Sequence, residues 1–485
     1  MQRALLLLLV AGAYGLLAGA PPAAVALLLA LAAGAALIHP GRAWGLIRSP
    51  GARFERAMLV TAAAVALQLL PLPRQVLDIL SPQAVATRRA IRLVAPESWL
   101  PLSIDAAATL LSLATLAVAA AAYLAARSIL DHEGGIRRLC RLLAWFGAAA
   151  ALLAVAQRGA APGLVMGLVP PEAPGARPFG PFVNRNHFAG WLVLVMPVVA
   201  GYLTAHLRHH LADARTWHEW RRHVARSAAL PLVVSLVTMV GVLLLTLSRS
   251  AVLGAGAGAV AWWLMSRRRI GAGGGAGLLA GGVLGLVLLS AALLVDLDAW
   301  AARFESAASL AGRPDSRLVI WRETLPVIAD FWATGTGLGT YGEAMLAHQQ
   351  SRIWVPHLAA WAHFNQAHNH YLHVLAEGGV IVAVPALVAL AGLAAAARRA
   401  LARDRTEIAW IRMGAAAALV GTAAQSVWEV PLVMPANAVM AALVTAILLH
   451  EPRARHESLR RIVPPALADD GRENDAGAAP RGVGP

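Results

Sequence analysis

The chain has 485 residues, of which 58% are hydrophobic and only 14% charged, whereas soluble globular proteins carry roughly 25% charged residues; that deficit excludes an ordinary soluble domain. The formal net charge of +15 suggests a nucleic-acid binder, but the basic residues form no single patch. They sit in short clusters between apolar runs, which is the pattern of membrane topology signals. All 41 basic residues are Arg, and the single cysteine, Cys140, excludes an internal disulfide and any cysteine metal cluster.

An apolar solvent leaves few choices of structure. Unpaired polar groups cost several kcal/mol there, so a spanning segment must bond its own backbone. The expected class is therefore all-α, a polytopic membrane protein with about twelve transmembrane helices. The first two spans, 4–19 and 22–39, read as a hairpin. Arg3 before an apolar run also fits a signal peptide, but the second run follows so closely that a retained helix is preferred. A loop with Arg42, Arg48, Arg53 and Arg56 precedes a span at 57–71. The Pro-rich loop 72–104 leads to a span at 105–126, which Arg127, Arg137, Arg138 and Arg141 follow. A span at 139–157 and a Pro- and Gly-rich loop, 158–185, come next. The sixth span, 187–206, is followed by Arg208, Arg215, Arg221, Arg222 and Arg226. Spans at 228–247 and from the Ser248-Arg249-Ser250 turn to Arg267 follow, then one at 273–295. A segment of low apolar density, 296–367, precedes the last three spans, 370–396, 408–424 and 434–449. The polar tail from His450 reads as disordered. Four regions result: 1–71, 72–230, 231–450 and the tail 451–485.

Every second loop is the arginine-rich one. The positive-inside rule places those loops, and both termini, in the cytoplasm. That bookkeeping puts a set of polar residues together on the outer face. Asn184, Arg185 and Asn186 open the span at 187, and Arg249 sits at the turn before the eighth. The long outer segment carries Arg313, Arg317, Trp321 and Arg322. His368 and Asn369 open the tenth span, with Glu377 nine residues on from His368, and Glu429 and Asn437 lie in the last outer turn.

Each residue also has a structural reading. Arg249 could snorkel to the interface, although a charge near the bilayer more often marks a pathway or partner. Asn184 and Asn186 could be helix caps. The stretch Gly335-x-Gly337-x-Gly339 follows no recognisable strand and reads as a close backbone turn, not a phosphate cradle. His348, His357, His363, His370 and His373 tempt a metal reading, but His363 and His368 sit five apart with no accompanying carboxylate; surface or interfacial histidines are preferred, and no metal or other cofactor is expected.

The motifs, taken in order, resemble the O-antigen ligase and O-antigen polymerase superfamily of bacterial envelope glycosyltransferases. The resemblance covers about 70–450. It rests on Pro71-Leu-Pro73, Ser81-Pro82 and Pro101-Leu-Ser-Ile-Asp105; on Phe179-Gly-Pro-Phe-Val-Asn-Arg-Asn-His187; and on Thr246-Leu-Ser-Arg-Ser250. It continues through Arg317-Leu-Val-Ile-Trp321, Gly335-Thr-Gly-Leu-Gly339, His368-Asn-His-Tyr-Leu372 with Glu377 and Gly379, and Pro435-Ala-Asn-Ala438. Similar proteins often have a His-Ser pair and an Asp in the last outer turn; here those positions read Gln425-Ser426 and Glu429.

The resemblance implies an architecture of the GT-C type in the bacterial inner membrane. It implies transfer of a glycan from an undecaprenyl-diphosphate carrier to a glycan, a lipid A core or a protein, with membrane lipids as the other partner and no nucleic acid. The residues suit that chemistry. Arg presents a planar, permanently charged fork to diphosphate oxygens, and Arg249 and Arg317 are the candidates for that clamp. A fixed cation favours the transition state, because charge grows on the leaving diphosphate. His368 is the candidate proton acceptor, its ordinary pKa lying near neutrality; holding the diphosphate with Arg249 is its alternative role. Arg185, Asn184, Asn186, Arg313, Trp321, Asn369, Glu377 and Glu429 are candidate substrate contacts. Ligase, polymerase and protein O-oligosaccharyltransferase remain open within the superfamily. A polysaccharide transporter or lipid-linked glycan flippase is the competing class, although no internal repeat of the transporter kind is present.

Overall fold

The computed structural model describes residues 2–37, 52–91, 99–132, 134–171, 176–211, 218, 229–267, 269, 317–352, 354–355 and 360–450. Helices stand at eleven of the twelve predicted positions. The predicted span 273–295, Arg313, His357 and the tail beyond His450 lie outside the described residues. In chain order the helices are α1 (Gln2–Gly15), α2 (Pro22–Leu37), α3 (Arg53–Leu67), α4 (Arg74–Leu80), α5 (Pro82–Ala90), α6 (Ala106–Leu130), α7 (Gly135–Ala160) and α8 (Arg185–Leu211). They continue as α9 (Ala229–Leu245), α10 (Arg249–Ser266), α11 (Arg317–Asp330), α12 (Tyr341–His348), α13 (His370–Arg403), α14 (Ile408–Gln425) and α15 (Pro435–Leu448).

Among the described residues, four helices are long and apolar enough to cross a membrane: Ala106–Leu130, Gly135–Ala160, Arg185–Arg208 and His370–Arg403. Shorter apolar helices cover Leu6–Gly15, Pro22–Gly34, Ala229–Leu245 and Pro435–Leu448. Several boundaries differ from those read in sequence. The turn between α6 and α7 is short, and Arg127 lies inside α6 and Arg137 and Arg138 inside α7 rather than in a loop. Arg is a good helix former whose stem packs on apolar surface, so an Arg cluster need not end a helix. Arg208 likewise stays within α8, its guanidinium 4.8 Å from the centre of the Trp410 ring.

α8 is the central helix. Its apolar stretch is 89% buried, against 17% for that of α13. It packs on α14, α9, α7 and α15, and Trp191, Leu192, Val195 and Val199 belong to the main core. Its crossing with α14 is close because Gly201 faces Gly414. A Cβ at Gly201 would lie 2.4 Å from the Trp410 carbonyl oxygen, and one at Gly414 would lie 2.2 Å from that of Pro197. Small residues allow this approach between membrane helices.

The two expected loops carry structure of their own. Strand β1 (Pro71–Pro73) pairs antiparallel with β2 (Trp99–Pro101), and β3 (Trp354–Val355) with β4 (Ala360–Trp361). These ribbons add to the all-α expectation; Pro at 71, 73 and 101 suits extended edge backbone and disfavours helix. Leu77, Val85, Ile104, Ile320, Val327, Phe331, Tyr341 and Phe364 form a second core in which the two loops pack on each other.

α13 is one helix broken at Gly379 (φ 55, ψ −165). The break exposes backbone groups, and residues 332–337, leading into the Gly335–Gly339 turn, satisfy them. Val380 N donates to Trp332 O (2.8 Å) and Ile381 N to Ala333 O (3.2 Å), while Thr336 N donates to Ala376 O (3.0 Å) and Gly337 N to Glu377 O (2.9 Å). Gln68 closes the arrangement: its Nε2 donates to Thr334 O (2.7 Å) and Glu377 O (2.9 Å), and its Oε1 accepts from Leu338 N (3.1 Å). The glycines are required by space. Gly335 has φ 68, and a Cβ there would lie 2.1 Å from Glu377 O. The Gly-x-Gly-x-Gly stretch is thus a close backbone turn against a helix.

At the far end of α13, arginines hold helix C-termini. Arg269 donates to Leu401 O (2.5 Å) and Asp404 O (2.6 Å), Arg127 to Leu449 O, and Arg412 to His450 O. Arg412 also pairs with Asp404 at 2.9 Å. Cations at these carbonyls complement the helix dipole.

Candidate active site

The N-terminal ends of α8, α11 and α13 meet one turn at Glu429. The turn lies between α14 and a short 3-10 helix, Pro431–Val433. Glu429 is fully buried (0% exposed). Its Oε1 accepts from His368 Nδ1 at 2.9 Å; its Oε2 accepts from Asn186 Nδ2 at 2.8 Å and from Arg317 at 3.2 Å.

Each partner is presented by local structure. His368 precedes α13 and has a left-handed backbone (φ 47), uncommon for a residue with a side chain. Asn369 fixes that turn as the N-cap of α13, its Oδ1 accepting from Tyr371 N and Leu372 N at 3.0 Å each. His370 N donates to Ser426 O (2.8 Å), tying the His368 turn to the Glu429 turn. Asn186 lies in the first turn of α8, where Asn184 Oδ1 accepts its backbone N–H at 2.9 Å. Arg317 begins α11, and Arg249 begins α10.

Charge balance favours an ionised Glu429. Burial by itself raises its pKa, but the hydrogen bond and charge of His368, with the charges of His187 and Arg317, outweigh burial and lower it to about 2. At Arg317, burial lowers the pKa, Glu429 raises it, and the nearby charge of Arg249 lowers it again. The charge of Arg249 is felt at Arg317, which Glu429 holds at 3.2 Å, so two guanidinium groups gather near this turn, an arrangement suited to an anion. His368 and Arg317 keep 28% and 31% side-chain exposure, so both remain reachable while Glu429 is not.

The structure therefore brings together Asn186, Arg249, Arg317, His368 and Glu429. Other candidates stand elsewhere. Asn184 and Asn369 serve the turns just described. Glu377 is buried on α13; its Oε1 accepts from Tyr341 N at 2.9 Å and pairs with His373 Nε2 at 3.3 Å. Arg185 is the half-buried first residue of α8. Trp321 lies one turn beyond Arg317 on α11, and its buried Nε1 has no hydrogen-bond partner. His348 bonds Ala344 O (2.9 Å) and Asp330 (3.2 Å). Among the described residues no group of three or more His, Cys, Asp or Glu is arranged to hold a metal ion.

Sequence reasoning left His187, Gln425 and Asn437 without a role, yet all three are buried beside the cluster. Their signal was polarity inside otherwise apolar helix ends, which also marks Gln68.

Comparison with curated proteins gave no match. The O-antigen ligase family model matches residues 234–387. That stretch contains Arg249, Arg317 and His368; Asn186 and Glu429 lie outside it. Over residues 234–387 the chain is therefore similar to the O-antigen ligase family, in agreement with the resemblance carried by its motifs.

Proposed function

We propose that the chain is a membrane glycosyltransferase that moves a glycan from an undecaprenyl-diphosphate carrier to an acceptor hydroxyl, ligating or polymerising surface polysaccharide. The reading places twelve spans in the bacterial inner membrane with both termini cytoplasmic, and the Glu429 cluster on the outer face. The observation that carries it is the buried Glu429 carboxylate holding His368 on one oxygen and Arg317 on the other, at 2.9 and 3.2 Å.

The chemistry follows from that arrangement. A carboxylate can only accept, so His368 donates Nδ1–H to Glu429 and its Nε2 is the basic nitrogen. The acceptor hydroxyl attacks the anomeric carbon of the donor sugar and gives its proton to Nε2. The bond from that carbon to the diphosphate oxygen breaks, and its electron pair leaves with the carrier diphosphate. Glu429 stabilises the imidazolium that forms, as the acid does in a Ser-His-Asp triad. Arg317 and Arg249 take up the growing charge on the leaving oxygens, supplying without a metal the electrostatic help the departure needs. Trp321 Nε1 is a further donor toward the bound anion or sugar.

The test is replacement of Arg249, Arg317 and His368 by Ala, one at a time, in a strain deleted for this chain. Each variant is expected to lose surface glycan while reaching normal membrane levels. Normal glycan from all three would overturn the assignment. The deletion strain also reports the acceptor: single repeats accumulate when a polymerase is lost, free lipid-linked chains when a ligase is lost.

A further inference from the structure

Two side-chain amides flank the turn that carries Glu429. Gln425 is the last residue of α14 and Asn437 lies in the first turn of α15; both are fully buried (0% exposed). Asn437 Nδ2 donates to His187 O at 3.0 Å and to Pro431 O at 2.9 Å. Gln425 Nε2 donates to Asn186 O at 3.4 Å. One amide on each side of Glu429 therefore grips one of two consecutive carbonyls in the first turn of α8. That same turn carries Asn186, whose side chain reaches Glu429 Oε2. The α8 backbone leaves room for this contact at Gly190, where a Cβ would lie 3.1 Å from Pro431 Cβ and 3.2 Å from Gln425 Oε1.

These bonds do not serve the needs of helix α8. The orphan groups at a helix N-terminus are N–H groups, whereas its carbonyls already accept within the helix. The amides also leave their own acceptors behind: Gln425 Oε1 and Asn437 Oδ1 are buried without a hydrogen-bond partner, a cost a purely structural contact would avoid. The carbonyls at 3.0 and 2.9 Å fix the NH2 of Asn437 toward them.

We propose that Asn437 and Gln425 are positioning residues: they clamp the Glu429 turn onto the first turn of α8 and so set Glu429 against Asn186, His368 and Arg317. They act on transfer through Glu429 and touch no substrate. The proposal rests on the glycosyltransferase reading above.

The experiment uses the purified full chain in proteoliposomes. The donor probe is lipid-linked glycan extracted from a strain deleted for this chain, and membranes of that strain supply the acceptor. Asn437→Asp, Asn437→Leu and Gln425→Glu preserve side-chain size and remove the donor; Glu429→Gln is run in parallel. Each amide variant is expected to lose tenfold or more in kcat, to keep KM for the donor within threefold, and to yield wild-type amounts of folded protein. An unchanged kcat overturns the proposal, as does a raised KM with kcat kept. So does a loss matched in every variant by a loss of folded protein. If Glu429→Gln loses turnover while the amide variants keep theirs, only the positioning role falls. Unchanged turnover in Glu429→Gln removes the underlying reading as well.

Discussion

Two buried glutamates, Glu429 and Glu377, sit near the N-terminal end of α13 in opposite circumstances. Glu377 is enclosed by its own surroundings: a backbone N–H from Tyr341, the ring of His373 one helical turn away, and a glycine turn packed against its carbonyl. None of its partners is a side chain left open for another task. Glu429 binds three side chains, and two of them, Arg317 and His368, keep about a third of their surface exposed. A buried carboxylate is costly unless paired, so both glutamates need partners. The difference lies in what the partners can still do. Around Glu377 they finish a break in a helix, and around Glu429 they retain a cation and a basic nitrogen for a ligand.

The sharpest way to break this comparison is to neutralise both acids in place. Glu429→Gln is expected to reduce glycan transfer roughly a hundredfold or more, through loss of the charge behind His368, with folded protein retained. Glu377→Gln is expected to reverse that pattern: about 3 kcal/mol less stability by thermal unfolding in detergent, with turnover per folded molecule preserved. Equal loss of turnover in both would erase the distinction.

Gly335→Ala tests the structural side alone. Its Cβ would meet the Glu377 carbonyl at 2.1 Å in a left-handed backbone, so destabilisation of about 2–3 kcal/mol is expected, read from the same unfolding measurement. Wild-type stability would mean that the turn does not need this close approach.

The smallest effect concerns pH. Glu429 is held well below its usual range, at about 2. The unfolded chain thus binds a proton more readily than the folded one, and stability rises with pH through this window. The stabilisation from Glu429 is complete above about pH 4.5 and is lost as pH falls toward 2. Unfolding of wild type and Glu429→Gln should therefore converge across that interval, and a constant gap between them would contradict an ionised Glu429.

Much of the architecture was legible in the chain itself. Apolar run length is a local property, and helices appear at eleven of the twelve predicted positions because lipid demands that each such run close its own hydrogen bonds. Boundaries were less legible, since Arg ends a hydrophobic run without ending a helix, as at Arg137 in α7 and Arg208 in α8. Of the site, the arginine alternation and the motifs picked out Arg249, Arg317, His368 and Glu429. They did not separate Glu429 from Glu377, and they gave Asn437 and Gln425 no part.

Sequence alone determined the membrane class, the helix order, the family resemblance and the polar residues worth testing. All of these follow from composition, periodicity and short motifs. Only the tertiary structure decided which acid those residues surround. Glu429 meets Asn186, Arg317 and His368 across sequence separations of 243, 112 and 61 residues. Such bonds exist only once α8, α11, α13 and the turn after α14 are packed, because hydrogen-bond distance is set by packing and leaves no periodic trace along the chain.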